Sequence, residues 1–148
     1  MLDWQWKRFS ELTLEQLYAL LALRSEVFVV EQRSLYLDAD GYDAQSLHLL
    51  GRTPDGRLGA YLRVLPPGLK HAEPSIGRVV TAPWARRQGL GRELFGRGVA
   101  FVDARYPGVP IRIGAQAYLQ RFYEAFGFVR VSDVYDEDGI PHIDMRRG

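Results

Sequence analysis

The sequence contains no cysteine, so disulfide bonds, thiolate metal sites and a cysteine nucleophile are excluded. It also lacks any apolar run approaching the ~18 residues that a membrane-spanning helix requires. Its first residues, MLDWQWKRF, mix acidic and basic side chains, whereas a secretory signal has a basic head followed by an apolar stretch. A cytoplasmic location and no membrane partner are therefore predicted.

The chain also lacks a marked excess of either charge. Its 19 basic and 18 acidic residues give a net charge of +1, so there is no general attraction to nucleic acid or to an anionic membrane. Any basic binding site must be local. At 148 residues, of which 47% are hydrophobic, the chain is predicted to be one domain, residues 1–148, with a core that needs no disulfide or metal.

Hydrophobic periodicity and turn signals predict a regular order of elements. Alternation over residues 2–7 predicts a strand, and a capping box of Thr13 and Gln16 predicts the start of a helix. The turn sequence TPDG at 53–56 predicts a hairpin between strands at 47–52 and 58–65. The other predictions are a strand at 76–80, a helix from Leu90 to about Arg105, a strand at 111–115, a helix at 117–126 capped by Gly127, a strand from Phe128 to Tyr135, a turn at Asp138-Gly139 and a strand at 141–146.

This order predicts an α/β fold in a single domain. The sheet is expected to be central, mixed and mostly antiparallel, with helices on both faces. The strands that contain Ile76 and Ile111 are joined through a helix, so they are expected to be parallel neighbours.

The segment between the first helix and the hairpin is rich in aspartate. Asp38, Asp40 and Asp43 resemble a calcium loop, but a glycine in fourth place and Leu49 in twelfth do not fit the EF-hand pattern. A solvated acidic loop is predicted. The alternative is a loop that attracts a cationic amine to a reacting centre.

The stretch SIGRVVTAPWARRQGLGREL, residues 75–94, is a strand, a turn and a helix that begins among glycines. A helix N-terminus presents unpaired N–H groups and a positive dipole end, so it binds anions. Gly89 and Gly91 let the backbone approach a phosphate closely, and nearby arginines add charge. A phosphate-rich ligand is predicted; the alternative is a basic surface helix.

The spacing of these residues excludes two common phosphate motifs. No Lys and Ser or Thr pair follows the glycines, as a P-loop requires, and Leu94 stands where the dinucleotide pattern needs its third glycine. The remaining pattern, R-x-x-G-x-G over Arg86, Gly89 and Gly91, resembles the pyrophosphate motif of the GNAT superfamily of acyl-CoA-dependent N-acyltransferases. The helix GAQAYLQRFYEAFGF, residues 114–128, is similar to a second GNAT signature. Together with QLYALLALRSEVFVVEQ and VYDEDGIPHIDM, these segments resemble the ElaA-like branch over nearly the whole chain.

The resemblance implies a GNAT-like fold with a splayed pair of parallel strands, acetyl-CoA as co-substrate and no metal. It places the pantetheine and the thioester carbonyl at the backbone of Val79, Val80 and Thr81. It places the pyrophosphate at Arg86, Arg87, Gln88, Gly89, Leu90, Gly91 and Arg92. Gln116 stands at the family's asparagine position and is also expected in the coenzyme site.

The resemblance also implies catalytic roles. Tyr123 stands at the general-acid position, although its spacing alone fits a core aromatic. Glu31 is the first candidate for the general base, and His48 and His142, on strands that could reach the same cleft, are further candidates. The acceptor site is expected to include Phe28, Glu31, His48 and His142. Glu31 and the two histidines also have a purely structural or solvated interpretation. Arg78 cannot act as a base because its guanidinium stays protonated. Direct transfer in a ternary complex is expected.

Two other functions remain open at this point. A non-catalytic acyl-CoA sensor or scaffold would use the same phosphate loop. A nucleic-acid or protein adaptor would use Arg86, Arg87, Arg92 and Arg97 as a basic patch, and the near-neutral net charge argues against it, so no nucleic acid partner is predicted. The acceptor is expected to be a small-molecule or peptide amine, and a homodimer through a sheet edge stays open.

Overall fold

A computed structural model describes all residues 1–148. The strands are β1 Asp3–Arg8, β2 Leu47–Arg52, β3 Leu58–Leu65, β4 Ser75–Thr81, β5 Ile111–Gln116, β6 Val129–Arg130, β7 Tyr135–Glu137 and β8 Ile140–Arg147. The α-helices are α1 Leu14–Arg24, α2 Leu90–Arg105 and α3 Gln120–Glu124. None of the helices is long and apolar enough to cross a membrane.

Helix α1 begins at the predicted capping box. Gln16 N–H donates to Thr13 Oγ1 at 3.0 Å, and Thr13 N–H donates to Gln16 Oε1 at 3.0 Å, so two otherwise unpaired amides are satisfied. The helix then continues as a π-helical segment, Ser25–Glu31. This segment contains Val29, Val30 and Glu31.

The strands divide into two antiparallel sheets. The first has the order β1-β2-β3-β4, and the second has the order β5-β8-β6, with β7 paired to β8. The β2–β3 hairpin has the predicted bounds, and Gly56 takes a left-handed φ of +92° in its turn while its N–H donates to Thr53 O at 2.9 Å. The turn of Asp138 and Gly139 joins β7 to β8, as predicted.

The expected neighbours β4 and β5 meet only where they begin. Arg112 N–H donates to Pro74 O at 3.1 Å, and no ladder follows between the two strands. The two strands separate after this contact, as expected of a splayed pair, and the strands therefore form two antiparallel sheets with a gap between them. This gap is where the candidate site lies.

Two core clusters cover the two faces of the first sheet. The larger cluster joins both sheets to α2 and α3 and includes Leu62, Phe95 and Ile113; the smaller joins α1 and the π-helical segment to the opposite face and includes Leu20 and Tyr61. Neighbouring residues of β3 point to opposite faces, which is why Tyr61 and Leu62 belong to different clusters. Helices therefore cover both faces, as predicted.

Two predicted elements are shorter than the sequence pattern indicated. The helix at 117–126 is a 3₁₀ turn followed by the short α3, although Gly127 caps it with φ +91° as expected. The strand from Phe128 to Tyr135 is interrupted at residues 131–134. There, Ser132 Oγ accepts the N–H of Asp144 at 2.8 Å, so a side chain takes the place of the strand's backbone acceptor.

Candidate active site

Strand β4 carries a bulge at the edge of the gap. Gly77 pairs with Arg63 and Val80 pairs with Tyr61, so Arg78 and Val79 lie opposite the single residue between those partners. Arg78 has a left-handed φ of +50°, a conformation that a residue with a side chain adopts only when its surroundings hold it there. The bulge brings Arg78 and Val79 to the wall of the gap.

The gap contains two adjoining cavities. The larger, of about 620 Å³, is lined by five predicted site residues: Phe28, Val79, Gln116, Tyr123 and His142. The smaller, of about 150 Å³, is lined by Val79, Val80, Thr81, Leu119, Phe122 and Tyr123. Tyr123, Val79 and Leu119 line both, so the predicted thioester side and the predicted acceptor side meet at the tyrosine.

Tyr123 belongs to the core and to the cavity at once. It is 8% exposed, and its ring packs edge-to-face against Phe95 at 5.0 Å and Phe122 at 5.1 Å between ring centroids. Its hydroxyl makes no hydrogen bond within the protein and is not sealed from solvent. Burial raises the pKa of Tyr123 to about 12, with a smaller contribution from Tyr118. The phenol is therefore a proton donor at neutral pH.

The start of α2 has the properties expected of an anion site. Leu90 N–H donates to Arg87 O and Glu93 N–H donates to Gly89 O. The amides of Gln88, Gly89, Gly91 and Arg92 have no acceptor in the protein. Gly89 has φ +86°, and no atom lies within 4 Å of the position that a Cβ would take at Gly89 or Gly91. Free donors and open space therefore coincide here.

Two of the three predicted phosphate-binding arginines already have carboxylate partners. Arg86 donates to both oxygens of Glu31, at 2.7 and 3.0 Å. Arg87 pairs with Glu93 at 2.7 Å, whereas Arg92 pairs with no carboxylate. The basic patch is thus partly neutralised by the protein itself.

Glu31 does not lie where a general base is needed. It lines neither cavity, and the hydrogen bonds and charge of Arg86 lower its pKa. A carboxylate bound on both oxygens by a guanidinium is a weak proton acceptor. The sequence placed Glu31 correctly after the first helix but could not show a partner 55 residues away.

His48 also lies away from the cavities, although it was predicted to bind substrate. It is completely buried: Tyr61 OH is 2.6 Å from Nδ1, and Asp43 O is 2.9 Å from Nε2. Burial lowers the pKa of His48. Both ring nitrogens are occupied, so the structure assigns this side chain to the core and not to an acceptor site.

His142, in contrast, lies on the wall of the larger cavity. Its Nδ1 is 2.8 Å from Ile140 O, and its Nε2 is 3.3 Å from Glu137 Oε2. Gln116, its neighbour across the ladder, lines the same wall and donates to Gln32 Oε1 at 3.1 Å. Phe28, Gln116, Tyr123 and His142 are therefore brought together.

The acidic segment is not the solvated loop that the sequence predicted. Asp38 and Asp43 are buried and bind Arg24, with Nε and Nη1 each 2.8 Å from a carboxylate oxygen. The ionic cluster consists of Arg24, Arg63, Arg78, Asp38, Asp40 and Asp43.

The three positive and three negative charges of the ionic cluster balance. Burial alone would raise the pKa of Asp40, but the hydrogen bonds and charge of Arg63 outweigh burial and hold the pKa well below its usual range. The cluster therefore fixes the segment to the sheet and leaves no net charge to attract an amine. Arg24 and Arg63 were missed; the available signal was an arginine at the end of the apolar run of α1 and another within the apolar β3.

No group of three or more histidine, aspartate or glutamate side chains is arranged to hold a metal ion.

Comparison with known proteins shows similarity over the whole chain. A family profile described as "Acetyltransferase (GNAT) domain" matches residues 28–147. A UPF0039 protein from Synechocystis is 48% identical, covering 97% of this chain and 94% of its own length. Protein ElaA from Escherichia coli is 44% identical, covering 99% and 97%.

Solved structures agree with these matches. An acyl-CoA N-acyltransferase from Pseudomonas aeruginosa aligns with a TM-score of 0.95 at 47% identity and covers 100% of both chains. The crystal structure of Escherichia coli ElaA aligns with a TM-score of 0.92 at 43% identity, again over 100% of both chains. The aligned regions include the β4 bulge, the start of α2 and α3.

Proposed function

This chain belongs to the GNAT acetyltransferase family, with ElaA and UPF0039 proteins among its relatives, and we propose that it transfers an acetyl group from acetyl-CoA to a primary amine by direct attack in a ternary complex. The family and the α/β GNAT fold expected from the sequence are confirmed. A general acyltransferase role follows from the family; the acetyl donor, the amine acceptor and the residue roles are the proposal. One observation carries it: Tyr123 lies where the two cavities of the gap meet.

The start of α2 fits the diphosphate of coenzyme A. Its free amides and the positive end of the helix dipole favour an anion. Gly89 and Gly91 leave open space on the same side, and Arg92 has no competing carboxylate. The residues that would hold the diphosphate are Arg86, Arg87, Gln88, Gly89, Leu90, Gly91 and Arg92.

The β4 side of the smaller cavity fits the acyl end of the coenzyme. Acyl-CoA supplies an acyl group activated as a thioester. Backbone N–H groups at Val79, Val80 and Thr81 would donate toward the carbonyl oxygen, which gains negative charge during attack, and such donors stabilise the transition state more than the ground state. Gln116 lines the adjoining wall.

Tyr123 would supply the proton that the departing sulfur needs. The hydroxyl is free of protein partners and stays protonated at neutral pH. Its ring is held by the surrounding aromatic side chains, so little rotational freedom is lost when it donates. Phe28 and His142, on the wall of the larger cavity, would face the acceptor, a small-molecule or peptide amine.

A coenzyme-binding experiment tests this proposal. Gly91→Glu adds a carboxylate in the first turn of α2, where acidic side chains stabilise a helix and where nothing lies within 4 Å. The same carboxylate would repel a diphosphate. We expect calorimetry to show saturable binding of acetyl-CoA to the wild-type protein, and an affinity at least about tenfold lower in Gly91→Glu, which corresponds to about 1.4 kcal/mol.

Gly91→Gln is the matched control, because it adds similar volume without charge and should bind nearly as well as the wild type. Release of coenzyme A thiol is then followed with spermidine, glucosamine and a peptide with a free lysine. Absence of acetyl-CoA binding would overturn the whole proposal. Binding without thiol release above background with any amine would favour the sensor or scaffold alternative.

A further inference from the structure

The larger cavity has a histidine whose ring orientation is fixed by two contacts. His142 is nearly buried on β8, and its Nδ1 lies 2.8 Å from the carbonyl oxygen of Ile140. A carbonyl oxygen only accepts hydrogen bonds, so Nδ1 carries the proton in this contact. In the neutral ring, Nε2 therefore has the free lone pair.

The second contact is made by a carboxylate. Glu137 Oε2 lies 3.3 Å from Nε2 of His142, and the Tyr135 ring stacks beside the imidazole with centroids 6.1 Å apart. A carboxylate at this position can accept a hydrogen bond from Nε2 once that atom carries a proton. The surroundings are thus arranged to stabilise the imidazolium that forms when Nε2 takes up a proton.

Other charged groups around the cavity do not oppose this arrangement. Strand β7 contributes Tyr135 and Glu137, and β5 presents the uncharged Gln116. The ionic cluster is balanced, and the carboxylate of Asp144 is paired with Arg112 at 2.7 Å. The other ionisable side chains of this kind that line the cavity are Lys70, His71 and Asp138.

We propose that His142 is the general base that takes the proton from the attacking amine, and that Glu137 is a positioning residue that stabilises the protonated ring. This inference rests on the proposed function and replaces Glu31, which lies outside both cavities. His142, on β8, lines the same cavity as Tyr123.

The proton balance is complete with these two residues. The amine nitrogen bonds to the acyl carbon as the carbon–sulfur bond breaks. One proton leaves the nitrogen for Nε2 of His142, and the hydroxyl of Tyr123 gives one proton to the sulfur. Exchange with solvent then returns the imidazole and the phenol to their starting states, so no further reactant is needed.

The test begins with a measurement that needs no substrate. The chain has three histidines, so the ring nitrogen signals in nitrogen-15 NMR spectra can be assigned with His48→Gln, His71→Gln and His142→Gln. We expect the neutral ring of His142 to carry its proton on Nδ1.

Kinetics with acetyl-CoA and the fastest amine of the panel complete the test. His142→Gln should lower kcat about 10²-fold or more with little change in KM and should remove the acid-side limb of the pH profile. In Glu137→Gln that limb should move, because the carboxylate 3.3 Å from Nε2 is lost. His71→Gln, on the same wall, is the matched control and should keep the limb.

The outcomes separate the two levels of the proposal. If the wild-type protein releases no thiol with any amine, the proposed function fails and the base assignment fails with it. If the wild type is active but His142→Gln keeps its rate and its acid-side limb, only the assignment of His142 is overturned. The assignment of His142 is also overturned if NMR finds the proton of the neutral ring on Nε2. It is overturned as well if the acid-side limb does not move in Glu137→Gln, a substitution of a half-exposed side chain.

Discussion

A single tyrosine in this protein has to satisfy two environments. Tyr123 packs in the aromatic cluster behind α3, and its hydroxyl borders two cavities. The two interpretations of its spacing, core aromatic and proton donor, are therefore compatible. A substitution that keeps the ring and removes the oxygen separates them.

Tyr123→Phe is expected to lower kcat by about 10²-fold or more while leaving the fold intact, since only a hydroxyl without a protein partner is lost. Because burial raises the pKa of Tyr123 to about 12, the wild-type pH profile should show no basic limb from this group below about pH 10. Measuring thiol release as a function of pH tests both the loss in kcat and the absence of the basic limb. Tyr118→Phe, an exposed tyrosine on the same cavity, is the control; equal losses in the two variants would contradict the assignment.

Sequence patterns could identify candidate residues but could not sort them by position. His48 and His142 both stand within strand patterns, yet one is sealed in the core and the other lines the cavity. Both faces of β2 are covered by packed clusters, so alternation alone cannot separate a core position from a cavity position there. Such differences depend on contacts between residues far apart in the chain.

At the scale of elements, α2 packs very closely on the first sheet. A Cβ at Gly98 would lie 3.0 Å from Leu62 Cδ2 and 3.5 Å from Ile76 Cδ1, whereas a Cβ at Gly96 would meet only Phe126 Cε1, at 3.6 Å. Leu62 is fully buried and has little room to move. The glycine at 98 therefore allows the helix to approach the sheet.

We expect Gly98→Ala to be less stable than Gly96→Ala by about 1–3 kcal/mol, because overpacking a core contact has roughly that cost. Both variants gain the same helix propensity, so this contribution cancels in the comparison. Urea unfolding of the two proteins measures the difference. Equal urea midpoints would show that Leu62 can move aside with no loss of stability, and would refute the packing explanation.

Elements with local signals were predictable, and elements set by distant contacts were not. The Thr13 capping box, the Gly127 cap and the Asp138-Gly139 turn depend on neighbouring residues, and all three were predicted. The break at 131–134 depends on a bond from Asp144 to Ser132. Nothing in the alternation of valines indicates that bond.

At the scale of the whole molecule, the ionic cluster ties a long irregular segment to α1, β3 and β4. Asp43 is central, because its Oδ1 accepts from Arg24 Nη1 at 2.8 Å and from Arg63 Nη1 at 2.9 Å. Removing one partner from a buried ion network leaves an uncompensated charge, which is far more costly than losing a surface pair. This segment also forms part of the wall of the larger cavity.

Asp43→Asn is expected to lower the free energy of unfolding by about 3 kcal/mol, whereas Glu93→Gln, in an exposed pair, should change it by about 0.5 kcal/mol or less. The folded-state pKa of Asp40 and of Asp43 is lowered by arginines against the effect of burial. The stability they contribute is thus present above about pH 4 and is lost as pH falls toward the folded-state values.

Urea unfolding at neutral pH and at about pH 3 measures both effects, and Asp43→Asn should show the smaller dependence on pH. A wild-type protein as stable at the lower pH as at neutral pH would contradict the role of the cluster. The α/β class and the order of elements followed from the sequence, but this cluster could not, because its charges are paired across up to 40 residues.

The Arg86–Glu31 pair has a consequence for the arrival of a ligand. Glu31 occupies two donors of a guanidinium at the edge of the α2 start, so the protein carries an anion of its own at this point. A diphosphate that reaches Arg86 must displace that carboxylate or share the arginine with it. Recognition there is an exchange between two competing negative groups, and Glu31 gives up its bonds to Arg86 when the incoming one prevails.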